Sequence, residues 1–420
     1  MSSDRSDDGQ ENQEQFTLEN PDVCTKYRTA ADIANKALQV VLGACKEGVE
    51  VFDLCRLGDD TILEETGKVY NKKVKKTEEA EEKDSKNKKQ DAGKKMEKGI
   101  GFPTCVSVNE IAGHMSPLKG ESKPLRSGDI VKVDLGVQID GFIAQVAHTI
   151  LLPPGEGDSP SQKGQLNEAG KVADRRADVV QAAYTAAEAA VRMMQVGNKN
   201  TQVTQVIQKS ADEFKCQPVA GVLSHLLKRH VIDDEKTILG KETDTDKVDE
   251  FEFEVNQAYT LDLMLSSGDG KTKEMECRHT VYKRAQENQY ILKTTKARQF
   301  ISEVGKRFPS LPFSLANIED EQCARVGVSE AKRHQLLHEY PVLAERPGEY
   351  IAQFKFTVLL LPGGTKKITG IPFAQSDVLE SGYTVEDEGL KKLLTQSVAP
   401  RKKRANKKKA GGEEAPAAAA

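Results

Sequence analysis

The chain has 420 residues with a formal net charge of −4, and 37% of its residues are hydrophobic. This length accommodates one large domain or two ordinary ones, and the charge excludes a uniformly basic nucleic-acid-binding protein. The seven cysteines are scattered and none has CxxC spacing, which argues against a disulfide framework or a cysteine zinc site. The sequence has no apolar run long enough to span a membrane, so we expect a soluble cytosolic protein with a nuclear pool.

The first part of the chain predicts a disordered segment followed by two helices. Residues 1–16 are rich in Ser, Asp, Glu and Gln and should be disordered. Apolar residues at helical spacing predict a helix from Tyr27 to Ala44. A second helix should follow Gly48 and continue to Leu63.

Two charged stretches interrupt the pattern of apolar residues. Residues 68–98 contain 12 Lys against 7 Asp or Glu, so 12 − 7 gives a local charge of +5. This composition fits a solvated helix or insertion loop, and it also fits a basic arm that contacts phosphates. Residues 233–254 form a second predicted insertion.

A β-hairpin is predicted near the middle of the first half. Apolar residues alternate over 130–139 and again over 142–152, and the dipeptide Asp140-Gly141 separates the two runs. Asp-Gly between two alternating runs is the strongest short-range hairpin signal. A Pro-, Gly- and Ser-rich loop over 153–164 then leads to a predicted helix from Ala177 to Val196, and another helix should follow near Thr201–Phe214.

The two halves of the chain contain similar segments. Val131–Leu135 parallels Tyr259–Leu263, and Ala144–Leu152 parallels Ala352–Leu360. Such repetition predicts a duplicated α/β unit about a pseudo-two-fold axis, with acidic residues of both halves meeting at the centre. We therefore predict one α/β domain over residues 17–395, followed by a disordered basic tail over residues 396–420.

Four segments of the chain resemble the metal-site segments of type II methionine aminopeptidases. The segments are Asp134–Phe142, Leu223–His225, Thr260–Asp262 and Ala352–Thr357, within a resemblance that runs from about residue 20 to about residue 375. The resemblance implies the pita-bread α/β fold of that family. Its active enzymes hold two divalent metal ions with two Asp, one His and two Glu, and the metals activate a bridging water.

The resemblance places six residues of this chain in a vestigial pocket: His114, Asp134, Gln145, His225, Asp262 and Lys355. Gln145 stands where the family has an Asp, Asp262 where it has a Glu, and Lys355 where it has the last Glu. An ammonium has no lone pair for a metal. Two unit positive charges about 4 Å apart repel by roughly 4 kcal/mol at an effective dielectric near 20, and a divalent ion doubles this. We therefore expect no metal, no other cofactor and no catalytic residue, with Lys355 lying between Asp134 and Asp262.

A narrower resemblance is to the proliferation-associated, ErbB-receptor-binding proteins of eukaryotes. It is carried by a lysine-rich carboxyl-terminal tail and by the segments Asp140–Ala144, Ala147–Thr149, Asn200–Thr204, Leu223–His225 and Gln353–Leu360. This resemblance implies growth regulation and binding of the large ribosomal subunit and structured RNA. It also implies contacts with regulatory proteins such as transcriptional co-repressors, and a place in the cytoplasm and nucleolus.

Three surface features are candidate binding sites, each with an alternative explanation. The tail carries seven basic residues that either contact RNA or only solubilise the chain end: Arg401, Lys402, Lys403, Arg404, Lys407, Lys408 and Lys409. A basic rim of Lys228, Arg229 and Lys236 contacts ribosomal RNA or is solvated surface. The LxxLL leucines Leu390, Leu393 and Leu394 dock in a partner's groove or pack a last helix on the core.

Two catalytic functions stay open beside the binding function. One is an active methionine aminopeptidase with a reduced metal site. The other is a metal-free hydrolase of the same fold, with His114 or His225 as its base.

Overall fold

The computed structural model describes residues 16–71, 96–155 and 157–398. Most of the predicted amino-terminal segment 1–16, the lysine-rich stretch 68–98 and the basic tail 396–420 lies outside these ranges. The helices of the described part are α1 Pro21–Ala44, α2 Val51–Lys68, α3 Pro160–Lys163, α4 Arg175–Met193, α5 Asn200–Glu213, α6 Thr295–Arg307, α7 Glu321–Arg333 and α8 Glu388–Leu394.

The strands belong to one large sheet and two small ones. They are β1 Lys98–Val108, β2 Ile111–Gly113, β3 Ile130–Ile139, β4 Phe142–Leu151, β5 Gln217–Pro218, β6 Leu223–Leu227, β7 Thr237–Leu239, β8 Gln257–Ser266, β9 Lys273–Glu274, β10 Val281–Arg284, β11 Phe313–Ser314, β12 Leu337–Tyr340, β13 Leu343–Ala344, β14 Ile351–Leu361 and β15 Gly364–Lys367. In the large sheet the order is β1-β3-β4-β14-β8-β6-β7, with β15 pairing β14 and β5 pairing β8.

The large sheet has the two-half arrangement that the repeat predicts. The hairpin β3–β4 turns at Asp140-Gly141, with Ile139 opposite Phe142. In the second half β8 pairs with β14, and β14 lies beside β4 at the middle of the sheet. Helices α1 and α2 cover the first half, and α4 and α5 cover the second. The strands that carry the acidic residues of both halves therefore meet at the centre.

Small side chains let α4 pack closely on the sheet. The helix buries seven alanines, which are Ala177, Ala182, Ala183, Ala186, Ala187, Ala189 and Ala190. They share a core with Phe354 and Phe356 of β14. Alanine combines the highest helix propensity with the smallest side-chain volume that still buries apolar surface, so the large aromatic rings of the sheet fit against this helix.

Two predicted boundaries differ from the structure. Helix α1 begins at Pro21 rather than Tyr27, because the Asn20 side chain accepts a hydrogen bond from the amide of Asp22 and proline is favoured in the first helical turn. The charged stretch 233–254, predicted as an insertion, contains β7, which pairs with β6 at the end of the large sheet. The Asn200 side chain also donates hydrogen bonds to the carbonyls of Thr237 and Asp249.

Residues 281–340 form a lobe that the sequence patterns do not predict. Its small sheet has the order β11-β10-β12, and α6 and α7 pack on it around Phe300 and Phe313. A buried carboxylate joins the lobe to the main body. Asp59 of α2 accepts a hydrogen bond from the amide of Thr104 at 2.8 Å and another from the side chain of Asn317 at 2.8 Å. This carboxylate thereby ties the lobe to helix α2 and strand β1.

In the part of the chain that the structure describes, no helix is both long and apolar enough to cross a bilayer.

Candidate functional site

The central site is built on three strands in the middle of the large sheet. Asp134 lies on β3, Asp262 on β8 and Lys355 on β14. Lys355 is opposite Asp262 across one strand pair and opposite Ala147 across the other, and Ala147 is itself opposite Asp134. Directly opposed residues share a face of a sheet, so the register brings these three side chains together.

The three side chains form a buried ion triad. The Lys355 Nζ lies 2.5 Å from Asp134 Oδ2 and 3.0 Å from Asp262 Oδ2. The side chains of Lys355, Asp134 and Asp262 are 6%, 7% and 14% exposed. Gln353 donates a hydrogen bond of 2.8 Å from Nε2 to Asp262 Oδ1, and the same nitrogen is 3.4 Å from Asp134 Oδ2. The Lys355 ammonium also lies 5.3 Å from the ring centroid of Phe102.

Burial and charge act against each other in this triad. Burial raises the pKa of Asp134 to about 6, although the Lys355 ammonium lowers it, and the neighbouring charge of Asp262 raises it further. Burial lowers the pKa of Lys355, but the two carboxylates outweigh burial and the net shift is upward. Among the described residues, no hydrogen-bond partner contacts Asp134 Oδ1. At neutral pH the ammonium is therefore the group that holds two buried carboxylates together.

Gln145 lies near the triad and is engaged elsewhere. Its Oε1 accepts a hydrogen bond of 2.8 Å from Thr260 Oγ1. Its backbone N–H donates to Thr357 Oγ1 at 2.8 Å. The carboxamide oxygen that would have to replace a metal-binding carboxylate is thus already an acceptor within the sheet.

The two histidines of the site contact backbone carbonyls rather than carboxylates in the part of the chain that the structure describes. His114 Nδ1 is 3.0 Å from the carbonyl of Pro341, and His225 Nδ1 is 3.3 Å from the carbonyl of Asp234. Burial lowers the pKa of both imidazoles, so both are neutral at neutral pH. A carbonyl partner fixes the ring orientation, and it raises the pKa of each imidazole less than burial lowers it. Within the described ranges, neither histidine has a carboxylate hydrogen-bond partner that would activate it as a general base.

A cavity of about 230 Å³ lies over these side chains. Five of the six residues predicted for the pocket line it, namely His114, Gln145, His225, Asp262 and Lys355, whereas Asp134 lies beneath the ammonium. The rest of the wall is mostly apolar and includes Phe102, Val219, Val222, Leu223, Ile232, Met264, Tyr340 and Leu343. The structure thus brings all six residues into one region.

The donor set does not fit a dinuclear metal centre. The Lys355 ammonium lies between the two aspartates that would have to bridge or bind the ions, and it offers no lone pair. Across residues 16–71, 96–155 and 157–398, no three His, Cys, Asp or Glu side chains are grouped so that they could hold a metal ion. We therefore assign no reaction step to a metal at this site.

The predicted basic rim is largely neutralised by ion pairs within the chain. Lys228 is 2.7 Å from Asp234, Arg229 is 2.6 Å from Asp140, and Lys236 is 3.1 Å from Glu254. The rim is therefore a weaker phosphate contact than its sequence suggests. The basic residues Arg401–Lys409 of the tail lie outside the described residues.

The three leucines of the LxxLL pattern pack on the core. Leu390 is 2% exposed, and Leu393 and Leu394 are half-buried against the core of the second half. As α8 stands, these side chains cannot enter a partner's groove. The structure favours the packing alternative for this helix.

Two contributors to the site, Gln353 and Phe102, are missed by the sequence reasoning. Gln353 precedes Lys355 by two residues on β14, so the two-residue period of a strand could have placed both on one face. Phe102 gives no such signal, because register irregularities on β1 between Ile100 and Cys105 determine where its ring points.

The chain matches the model of metallopeptidase family M24 over residues 25–282, more than half of its length. It belongs to that family. Within it, the chain is 42% identical over 409 residues to ErbB-3 binding protein 1 of Arabidopsis thaliana, an alignment that covers 97% of this chain and 93% of the relative. Identity to proliferation-associated protein A of Dictyostelium discoideum is 40%, with 93% of this chain and 92% of the relative covered. The chain therefore belongs to the proliferation-associated, ErbB-binding group of the family.

A further relative is the curved DNA-binding protein of Schizosaccharomyces pombe, 33% identical over 94% of this chain and 95% of that protein. Among solved structures, a thermophilic Arx1 matches with a TM-score of 0.77 and 27% identity, covering 90% of this chain and 99% of that one. Methionine aminopeptidase of Thermotoga maritima matches with a TM-score of 0.52 and 16% identity, covering 85% of this chain and all of the enzyme. These matches confirm the predicted pita-bread fold. None of the three relatives at 33–42% identity described above is called an aminopeptidase.

Proposed function

We propose that this family member is a non-catalytic, growth-regulatory protein that binds the large ribosomal subunit and structured RNA on an aminopeptidase-like scaffold. The observation that carries the non-catalytic part is the Lys355 ammonium, 2.5 Å from Asp134 and 3.0 Å from Asp262. The active aminopeptidases of this fold use divalent ions to activate water. A lysine at that position repels such an ion and cannot activate water in its place.

The binding part of the proposal rests on relatives and on charge. The relatives are named for binding a receptor, for proliferation and for binding curved DNA. Within the chain, the seven basic residues in the nine positions from Arg401 to Lys409 are the densest cationic segment. Because the rim residues already have carboxylate partners, we assign the main RNA contact to this tail. We also propose that the protein binds regulatory proteins and that it is cytoplasmic with a nucleolar pool.

A peptidase assay tests the non-catalytic part. The purified chain is incubated with a peptide that begins Met-Gly, with and without added manganese or cobalt, beside an active methionine aminopeptidase as a positive control. We expect no release of methionine and no stoichiometric metal by elemental analysis. Metal-dependent turnover that Asp134→Asn abolishes would establish an aminopeptidase instead. Metal-independent turnover that His114→Ala or His225→Ala abolishes would establish the metal-free hydrolase.

Co-sedimentation tests the ribosomal part. Large ribosomal subunits are sedimented over a salt series with the full chain, with a variant that ends at Pro400, and with a full-length variant whose seven tail basics are glutamine. The glutamine variant separates the charge of the tail from its length. We expect only the unaltered chain to sediment at low salt and to dissociate as salt rises. If it does not sediment even at low salt, the ribosomal part is wrong, and if all three sediment alike, the tail is not the contact.

A further inference from the structure

A second concave surface lies on the lobe, and its residues are separate from those of the central cavity. We call it the α7 cleft. It has a volume of about 410 Å³ and is lined by Arg278, His279, Tyr282, Leu315, Arg325, Val328, Ser329 and Lys332. None of these eight residues is acidic, and three of them carry a full positive charge.

The fold brings the three cations together from two walls. Arg325, Ser329 and Lys332 are spaced four and three residues apart on α7, so their side chains share one face of the helix. Arg278 comes from the segment before β10 and lies on the opposite wall. The hydroxyl of Ser329 is exposed between the cations of its own helix. Three cationic side chains and a hydroxyl thus surround one small volume.

Each cation has a carboxylate partner that lies outside the lining of the cleft. Arg278 Nε is 3.3 Å from Glu121, Arg325 Nη2 is 2.8 Å from Glu321, and Lys332 Nζ is 2.6 Å from Glu339. In the two arginine pairs every side chain is at least 40% exposed. Exposed ion pairs contribute little to stability and exchange readily. An anion that meets both guanidinium groups at once can therefore replace these partners.

A buried histidine at the wall of the cleft has a free nitrogen. The His279 side chain is 7% exposed, and its Nδ1 is 2.9 Å from Glu339 Oε1. Its Nε2 has no hydrogen-bond partner among the described residues, and the nearest carboxylate oxygen, on Glu274, is 3.7 Å away. Buried polar atoms are normally hydrogen-bonded. Because Nδ1–H donates to the Glu339 carboxylate, Nε2 can donate to an anion only when the ring carries a second proton.

We propose that the α7 cleft binds a phosphate monoester dianion, held by Arg278, Arg325 and Lys332, with the Ser329 hydroxyl and, in its imidazolium form, His279 as further hydrogen-bond donors. Guanidinium groups present parallel donors that match a tetrahedral oxyanion, and a dianion gains more than a carboxylate from three converging cations. RNA fits less well, because Tyr282 is 2% exposed and its ring cannot stack on a base. The phosphate belongs either to a phosphorylated side chain of a protein or to a small phosphorylated molecule.

Calorimetric titration of the full chain tests this site. The probes are inorganic phosphate, O-phosphoserine, unphosphorylated serine and a ten-nucleotide uridine RNA, in a buffer without phosphate and at constant ionic strength. We expect saturable one-site binding of the two phosphates and none of serine. Arg278→Ala/Arg325→Ala should weaken phosphate binding at least tenfold. The matched control is Arg28→Ala/Arg346→Ala, which also removes two exposed arginines and should leave phosphate binding unchanged.

A second variant, Ser329→Asp, tests the site even if the double arginine variant fails to fold. Ser329→Asp places a carboxylate at the centre of the cleft and should abolish phosphate binding with an unchanged thermal midpoint. Tighter binding of O-phosphoserine than of inorganic phosphate would assign the site to phosphorylated side chains, and equal binding to small phosphates. The proposal is overturned if neither phosphate binds at 10 mM, if both cleft variants bind like the unaltered chain, or if the cleft variants lose only RNA binding.

Discussion

Lys355 determines both the chemistry and the energetics of the central site. Its ammonium is the partner of Asp134 and of Asp262, and all three side chains are largely removed from water. Removing one member of a buried ion pair costs more than the pair itself contributes, because the remaining charge stays desolvated. The cation therefore stabilises the folded state whatever the pocket binds.

Lys355→Met should lower the free energy of unfolding by about 3–5 kcal/mol at pH 8, because two buried carboxylates then face each other without a cation. The loss should be smaller at pH 5. Asp134, whose pKa is about 6 with the lysine present, loses the opposing cation in the variant and is then protonated at that pH. Urea unfolding at the two pH values measures the difference. Lys355→Met/Asp134→Asn serves as the control and should recover part of the loss, and an equal loss at both pH values would contradict the triad.

Lys132 is a second buried lysine, and it has no carboxylate within hydrogen-bonding distance in the described residues. Its Nζ donates to the carbonyls of Asn109 and Ile351 at 2.8 and 3.0 Å. Burial lowers its pKa from 10.5 to about 7, although the charges of Glu110 and Asp129 oppose the shift. The Lys132 ammonium thus connects the turn before β2 to the start of β14. The same group titrates near neutral pH.

The stability of the protein should rise between pH 7 and pH 9 relative to Lys132→Met. Over this range the unfolded state, with its lysine at the ordinary pKa of 10.5, binds more protons than the folded state, so the lysine contributes stability that increases with pH. Below about pH 7 both states hold the proton and the difference should be constant. Guanidinium unfolding of both proteins at pH 6, 7 and 9 measures this, and a difference that falls above pH 7 would contradict the shift.

At the scale of elements, the lobe depends on close contact between α6 and α7. A side chain at Gly327 of α7 would place its Cβ 2.4 Å from Phe300 of α6. Glycine inside a helix costs stability through backbone entropy, so its presence here is explained by the approach of the aromatic ring. Gly305 of α6 is different, because a Cβ there would meet only the Arg284 side chain, at 3.5 Å.

Opposite effects of the same substitution are therefore expected at the two glycines. Gly327→Ala should destabilise the lobe by about 1–3 kcal/mol, because the added methyl group forces α6 and α7 apart. Gly305→Ala should stabilise the protein by about 0.5–1 kcal/mol through higher helix propensity. Thermal unfolding and hydrogen exchange of residues 295–333 measure both effects. Stabilisation by Gly327→Ala would show that the helices are not in close contact.

Two-residue alternation predicts the central hairpin, and the repeat predicts that acidic residues of both halves meet. The place of Lys355 between Asp134 and Asp262 is what the resemblance to the aminopeptidases implies. The sequence does not predict the lobe. Helix α6 has a helical pattern in the sequence, since its buried Ala297, Phe300 and Val304 are three and four residues apart. The strands beneath it have two to four residues and are too short to show alternation, so the lobe as a unit is not evident. The partners of the basic rim are also invisible in the sequence, since Arg229 and Asp140 are 89 residues apart.

At the scale of the whole molecule, Asp140 links the two halves. It occupies the β3–β4 turn with a positive φ of 54°, where Asp and Asn are tolerated better than most residues. Its Oδ2 is 2.8 Å from Lys26 of α1, and its Oδ1 is 2.6 Å from Arg229, which follows β6. The Asp140 carboxylate thus forms ion pairs with both a helix of the first half and a loop of the second half. That loop continues to Ile232 and Asp233 at the wall of the central cavity.

Asp140→Asn should lower the free energy of unfolding by about 1–3 kcal/mol at pH 7 while preserving the turn. Burial raises the pKa of Asp140, but Lys26 and Arg229 outweigh it and hold the pKa below its ordinary value. The stabilisation is therefore present above the unfolded pKa and is lost as pH falls through the folded one. Chemical unfolding at pH 7 and pH 3 measures this, with Asp22→Asn as a control at an exposed partner of the same lysine. An effect that persists undiminished at pH 3 would contradict the ionic link.

A cation that is part of the polypeptide cannot dissociate. The Lys355 ammonium is held by its own side chain, so its occupancy is complete at any concentration of free metal. We therefore expect a chelator to leave the thermal unfolding midpoint unchanged, because Lys355 takes the place of an ion between Asp134 and Asp262.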